Sequence, residues 1–383
     1  MTLAKIIWSL ACLLLLASHL WSMSGWHEHR GIYDDICYLR QAHLFQRFGW
    51  ISGLDTDIVR DDDRYFAGKL KEVELPQADD PSSAPCHSVM PATGRRVMQY
   101  PPGTGFVLSL FPAGHQVIPM FMLSTLVVCL VALLTIGMAG TLAAVVTSGV
   151  CGVAAIYVMI NPVKASYSAA PTMAVCTLAG LVSAWLFATR RPGLRVALSI
   201  AVGCLIGLSV NFRLGNLFLS AGYFIAFGVA VLRTRRLSSL IEGIAFGLAF
   251  IAGLAPTLAA NAINAGSPLT TTYSSGDAVP PDLTVIFSQL ALYLSDTQGI
   301  MLLIACGITL SVWLIPALAT LRSLAAMNAV NIAVNMAYFL THPIATPYYI
   351  MPIAMLALWT ALFGCVLHTS VPIPTFAKRS GAL

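Results

Sequence analysis

Residues 117–137 read VIPMFMLSTLVVCLVALLTIG, with no charged side chain in 21 positions. A helix needs roughly 20 apolar residues to cross the hydrocarbon core of a bilayer, so this stretch decides the fold class. Working outward, comparable stretches lie near 5–23, 115–137, 141–160, 168–188, 196–212, 216–232, 239–260, 299–319, 324–340 and 347–367. The expected architecture is an all-α polytopic membrane protein with about ten transmembrane helices. Composition points the same way. The 383 residues are 57% hydrophobic and 10% charged, with a mean hydropathy of +0.79, whereas soluble domains carry about 25% charged residues. A soluble enzyme is excluded. The first stretch follows Lys5 and lacks an A-x-A-like cleavage site, so an uncleaved anchor is expected.

The few charges are segregated. Twelve of the 16 acidic residues lie between Glu28 and Asp80, and nine basic residues lie between Arg30 and Arg96. A polar segment, 24–102, is thus inserted after the first span (1–23). A multi-span region follows over 103–368, with a further outer loop at 261–285 and a tail at 369–383. With the N-terminus placed in the cytoplasm, Lys5, Arg190, Arg191, Arg195, Arg233, Arg235, Arg236, Arg322, Lys378 and Arg379 all fall inside, against the single acid Glu242. The positive-inside rule therefore predicts cytoplasmic termini and puts 24–102 and 261–285 on the outer face. Phe106–Phe111 and Leu283–Leu294 are too short to cross and are expected at the outer rim. No Lys/Arg stripe with interleaved aromatics supports nucleic-acid binding. Cys37 and Cys86 share the polar segment and could pair in an oxidising compartment; the other seven cysteines sit in apolar stretches as small core residues.

Four features could carry chemistry. Asp34 and Asp35 open a helical pattern through Ile36, Leu39, Ala42, Leu44, Phe45 and Phe48 that stops at Gly49. Carboxylates are favoured at a helix start, and adjacent like charges raise the proton affinity of one of them, which suits a general base. A solvated helix cap is the plainer alternative. Gln99-Tyr100-Pro101-Pro102-Gly103-Thr104-Gly105 combines a rigid turn with glycines that admit close backbone approach. Outer-face cations, Arg95, Arg96, Lys164 and Arg213, could hold an anionic group such as phosphate, Arg213 most of all because it ends an apolar span. Asn328, Asn331 and Asn335 form one polar stripe, facing either a cavity or another helix. The acidic run Asp55–Asp63 lacks the glycine and terminal glutamate of a calcium loop, His27-x-His29 is a weak metal signal, and no metal ligand is assigned.

In this order the pieces resemble the family C glycosyltransferases, in the branch of the protein O-mannosyltransferases and the aminoarabinose transferases of lipid A. The features that carry the likeness are one span, an outer loop opening on an Asp-acid pair, and Y-P-P-G at the next membrane segment. Further along, Gly207–Asn216 is similar to that branch's G-L-x-x-x-x-R-x-x-N span. Asn264–Pro268 with Thr272-Tyr273 resembles its outer-loop segment, and His342 with Tyr349-Ile-Met-Pro352 resembles its H…R-Y-x-x-P segment. Each motif is short, and their shared order over most of the chain carries the weight.

The resemblance implies transfer of a sugar from a polyprenyl-phosphate donor to an acceptor hydroxyl on a glycan, lipid or protein. The reaction would invert the anomeric centre at the extracytoplasmic face of the plasma (inner) membrane of the cell envelope. Asp34, with Asp35 beside it, matches the catalytic position; Arg213, Arg95, Arg96, Tyr100, Lys164, Tyr273, His342 and Tyr349 are the expected substrate-binding residues. The chain departs from the pattern where Tyr100 stands for the lysine frequent before Pro-Pro and where Tyr348 stands for the arginine of R-Y-x-x-P. The loop 161–168 offers Lys164 but no second acid, which leaves a divalent cation open. The alternative from another class is a transporter or flippase for a lipid-linked sugar. That class calls for ionisable groups within spans or for broken helices, and no inverted repeat is apparent here. A structural subunit with a decayed site would be indifferent to Asp34→Asn.

Overall fold

The computed structural model describes residues 1–26, 28, 33–74, 84–159, 166–273, 280–344 and 346–370. It is a helical membrane bundle: among the described residues, nine helices are long and apolar enough to cross a bilayer. Helix α1 (Thr2–Met23) is followed by the polar segment, which contains α2 (Tyr33–Ser52), α3 (Tyr65–Glu72) and a two-stranded antiparallel ribbon. The ribbon pairs β1 (His87–Val89) with β2 (Arg96–Met98), His87 opposite Met98. A short helix, α4 (Gly103–Ser109), leads into the bundle.

The bundle runs through α5 (Val117–Met138), α6 (Leu142–Val158), α7 (Ala169–Ala188), α8 (Pro192–Val210), α9 (Ala221–Thr234) and α10 (Leu237–Ala265). It continues with α11 (Ile286–Leu294), α12 (Thr297–Leu314), α13 (Arg322–Thr341) and α14 (Met351–Ser370). Each of the ten expected spans corresponds to a helix. Helix α6, at 17 residues, falls just short of the nine long ones, and α11 is the short piece expected at the rim. Three spans open with 3-10 turns, Leu214–Ser220 ahead of α9, Pro316–Leu321 ahead of α13 and Pro347–Ile350 ahead of α14. Helix α10 extends to Ala265, beyond the predicted end at residue 260, because Asn264 reaches the polar segment: its Nδ2 donates to the Leu54 carbonyl at 2.8 Å and its Oδ1 accepts from Thr56 N at 2.9 Å.

Helix α14 is the axis of the bundle, with 94% of its apolar window buried. Close packing elsewhere is set by small residues, as lipid offers no hydrophobic gain for helix association. A Cβ on Gly149 would meet the Trp8 indole at 2.2 Å, so α1 and α6 touch through that glycine. Gly137, by contrast, has no neighbour within 4 Å of such a Cβ. The polar stripe of α13 proves to be interhelical bonding. Asn328 Nδ2 donates to Thr309 Oγ1 and to the Ala357 carbonyl, Asn331 Oδ1 accepts from Gly222 N at 2.6 Å, and Asn335 Nδ2 donates to the Phe218 carbonyl. All three asparagines are buried. At the end opposite the polar segment, Lys5 Nζ donates to the Gly137 carbonyl and Arg195 makes a bidentate pair with Glu242.

Helices α8 and α10 are in closest contact at Gly207, where an added Cβ would stand 2.2 Å from the Phe250 carbonyl oxygen. Backbone cannot move aside as a side-chain tip can. Gly207→Ala is therefore expected to cost about 1–3 kcal/mol by forcing the helices apart. A lowered midpoint in detergent thermal unfolding would register it, and an unchanged midpoint would contradict this packing.

Candidate functional site

The polar segment is built to hold one helix start in place. Cys37 and Cys86 form a disulfide joining α2 to the entry of β1. Arg40, fully buried one turn further along α2, donates to the carbonyls of Thr56 (3.0 Å) and Asp57 (2.8 Å) and to His87 Nε2 (2.9 Å). His87 in turn donates from Nδ1 to the Pro85 carbonyl at 2.7 Å. The acidic run is consumed in the same way. Asp55 and Asp57 pair with Arg95, Asp61 caps the start of α3 through Phe66 N and Ala67 N, Asp62 holds Arg47, and Asp63 holds His43. Glu28 Oε2 accepts from Gln116 N (2.9 Å) and Val117 N (2.8 Å), capping α5.

The turn expected at 99–105 is where this segment meets the bundle. Gly103 N donates to the Asn211 carbonyl at 2.7 Å, and a Cβ at Gly103 would lie 2.6 Å from that same oxygen. Gly105 N donates to Gln41 Oε1, while Gln41 Nε2 donates to the Tyr100 carbonyl. Thr272 Oγ1 donates to the Gln99 carbonyl at 2.8 Å, bringing the loop after α10 alongside.

A cavity of about 650 Å³ opens at this junction. One wall is α2 and the turn, with Asp34, Tyr38, Tyr100 and Pro101; another is the stretch Phe212–Phe218 that ends α8 and opens α9; a third holds Tyr338, Phe339, Tyr348 and Tyr349. Ser166, Ser168, Thr271 and Tyr273 add hydroxyls. The charged residues lining it are Asp34 and Arg213. Asp34 Oδ1 accepts a 2.6 Å hydrogen bond from the Tyr100 hydroxyl, and the Tyr100 ring stacks on Tyr38 at 4.9 Å. Burial, followed by the charge of Asp34, pushes the Tyr100 phenol far above its ordinary value of 10, so it remains a donor; burial raises Tyr38 likewise. The Arg213 guanidinium lies 4.1 Å from the Tyr349 ring centre and 4.7 Å from that of Tyr348. Its buried Nη1 has no hydrogen-bond partner, and no carboxylate pairs with it among the described residues. Cation–π contact of this kind stabilises a desolvated cation without neutralising it. The cavity is therefore equipped to accept a proton at one point and hold an anion at another.

Of the residues expected from sequence, Asp34, Tyr100, Arg213, Tyr273 and Tyr349 share this cavity. Asp35 does not line it: the residue is fully buried and partnered, since consecutive helical positions diverge by about 100°. Arg95 lies outside the lining and is engaged elsewhere. Its Nε donates to Asp57 at 2.7 Å, its Nη2 pairs with Asp55 and its Nη1 donates to the Ile263 carbonyl at 2.9 Å, so it locks the polar segment to the end of α10. Arg96 opens β2 opposite Val89, outside the lining. His342 also stays outside; its Nδ1 donates to the Tyr338 carbonyl at 2.8 Å and its ring stacks on Tyr338 at 4.1 Å. Lys164, His27 and His29 lie outside the described residues. Sequence reasoning missed Tyr38 and Tyr338. Tyr38 stands four residues after Asp34, on the same helical face, which is a usable signal; Tyr338 had none.

Among the described residues no three His, Cys, Asp or Glu side chains converge as metal ligands, and the lining offers one carboxylate. Compared with known proteins, the chain matches no family model, no curated protein and no solved structure.

The buried Arg40–His87 contact makes the polar segment acid-sensitive. Burial first, and then the charge of Arg40, pull His87 from its ordinary 6.5 to about 3. The unfolded chain therefore binds a proton that the folded one refuses. The resulting stability is complete above pH 6.5 and is lost as pH falls towards 3. His87→Gln should flatten the fall in unfolding midpoint across that window; parallel pH curves for variant and parent would refute the assignment.

Proposed function

We propose that the protein transfers a sugar from a polyprenyl-phosphate carrier to an acceptor hydroxyl, with inversion, in the cavity lined by Asp34 and Arg213. The single observation that carries this reading is that a carboxylate and an unneutralised, aromatic-backed guanidinium line one cavity of about 650 Å³ at the junction of the polar segment and the membrane bundle.

Asp34 takes the proton of the acceptor hydroxyl as that oxygen forms its bond to the anomeric carbon. The bond from that carbon to the phosphate oxygen breaks, and the polyprenyl phosphate leaves with the electron pair. The departing oxygen becomes a phosphate anion without needing a proton, so no general acid is required. Arg213, desolvated and packed against two tyrosine rings, faces the charge that develops on the phosphate. Tyrosine and phenylalanine faces around the cavity suit a sugar ring and the first isoprene units.

The orientation proposed with this activity puts both termini in the cytoplasm of a plasma-membrane protein and the cavity on the outside. Support comes from the end of the bundle bearing Lys5, Arg195 and Glu242, which follows the positive-inside rule. The Cys37–Cys86 disulfide adds to it, as such bonds persist in oxidising compartments. The protein would act on a lipid-borne donor and on a glycan, lipid or protein acceptor.

The test is to incubate the purified protein in liposomes with a panel of polyprenyl-phosphate sugars and follow released polyprenyl phosphate by mass spectrometry. Asp34→Asn should lower the rate by about 10²–10⁴-fold, the usual contribution of a general base. Undiminished release by the variant would move the base elsewhere. Binding without release from every donor and acceptor tried would overturn the reading in favour of transport of a lipid-linked sugar.

A further inference from the structure

We infer that Tyr100 is the positioning residue of the proton acceptor: its hydroxyl fixes one oxygen of Asp34 so that the other meets the incoming hydroxyl. The inference rests on the reading of Asp34 as the base, and deepens it. The position is one where the sequence resemblance called for a lysine, so its chemistry is particular to this chain.

The geometry constrains every part of the tyrosine. Its hydroxyl donates to Asp34 Oδ1 at 2.6 Å. Its ring lies against Tyr38 at 4.9 Å with an interplanar angle of 27°. Its carbonyl accepts from Gln41 Nε2 at 3.4 Å, and Pro101 and Pro102 follow it, removing backbone freedom on that side. Three residues further on, the Gly103 N–H is anchored on the Asn211 carbonyl. Asp34 has no such rigidity of its own, since it stands in the first turn of α2 with two rotatable side-chain bonds. A carboxylate whose Oδ1 is held by a fixed donor has its plane defined, and Oδ2 is the oxygen left to accept a proton. A lysine there would have supplied a second cation to the phosphate; the tyrosine supplies orientation to the carboxylate, and leaves the anion to Arg213. Tyr100 keeps its own proton throughout, because burial and the charge of Asp34 both oppose its ionisation.

Tyr100→Phe tests this while preserving the ring that stacks on Tyr38. Two readouts are taken on protein in liposomes with an unchanged unfolding midpoint. In turnover of the donor found above, kcat should fall by about 10²-fold, the scale of a misplaced reacting group, while KM for the donor stays within about twofold because Arg213 is untouched. Separately, and with no donor present, dicyclohexylcarbodiimide should label Asp34 several-fold faster at pH 6, as Oδ1 is no longer occupied by the Tyr100 hydroxyl; fragment mass spectra separate Asp34 from Asp35. Unchanged labelling would overturn the inference whatever the activity does. Faster labelling in a protein that releases no polyprenyl phosphate would leave the positioning contact standing and sink the glycosyl-transfer reading alone. Should Tyr100→Phe fail to fold, Tyr38→Leu removes the supporting ring and keeps both hydroxyl and carboxylate; the same faster labelling is expected, and its absence counts against the inference equally.

Discussion

The cavity depends on one asparagine. Asn211, buried at the outer end of α8, accepts the Gly103 N–H on its carbonyl, and with its side chain bridges the break that Pro256 makes in α10. Its Oδ1 accepts from Thr257 N at 2.9 Å and its Nδ2 donates to the Gly253 carbonyl at 2.6 Å. Those are a donor and an acceptor that an unbroken helix would have paired with each other. A proline in a membrane helix is tolerated when neighbouring groups satisfy the freed backbone, and here the satisfying group belongs to α8. Tyr100 stands three residues before Gly103 and Arg213 two after Asn211. The carboxylate side and the guanidinium side of the cavity are thus hung from a single joint. Gly207 and Gly253 make it possible by letting the two backbones meet.

Arg213 illustrates what an unneutralised buried charge costs. A buried guanidinium is expensive near a bilayer, and the usual remedy is a carboxylate partner. In this cavity the partner is a pair of tyrosine faces, which offset part of the desolvation and leave the positive charge unspent. The orphan Nη1 carries the remainder of the penalty. An anion that bonded to it would recover that penalty. Pairing with Asp34 would have cancelled both charges. The Tyr100 hydroxyl gives the carboxylate a different partner.

Much of the fold was legible because lipid as solvent imposes a simple rule. Twenty apolar residues must form a helix, and every expected span corresponds to one. What the pattern could not reveal was which polar groups meet. Asn328, Asn331 and Asn335 share a helical face, and spacing alone cannot say whether that face sees a cavity or another helix; the bonds to Thr309, Gly222 and Phe218 decide for the latter. Arg95 and Arg213 looked equivalent as outer-face cations. They differ because Arg95 lies near two aspartates some 40 residues away in the chain, a relation set by tertiary folding rather than by local sequence. Tyr348 was read as a loss, a missing arginine. In the fold it is one of the two faces that carry Arg213.

The charge of the acidic run in the polar segment is architectural. Asp55, Asp57, Asp61, Asp62, Asp63 and Glu28 are bound to arginine, histidine or helix N–H groups that hold the segment's shape. Arg40 and Arg95 are absorbed in the same manner. An ionic scaffold of this kind suits a small extramembrane unit, which has too few apolar residues for a large core and relies on a disulfide as well. Among the described residues, none of these pairings takes in the two charged residues that line the cavity. Asp34 is partnered by a neutral hydroxyl and Arg213 by neutral rings, so each keeps a full charge in a place where the scaffold has no use for it. Charges that folding leaves uncancelled, in a site that folding could have neutralised, are where chemistry is to be sought.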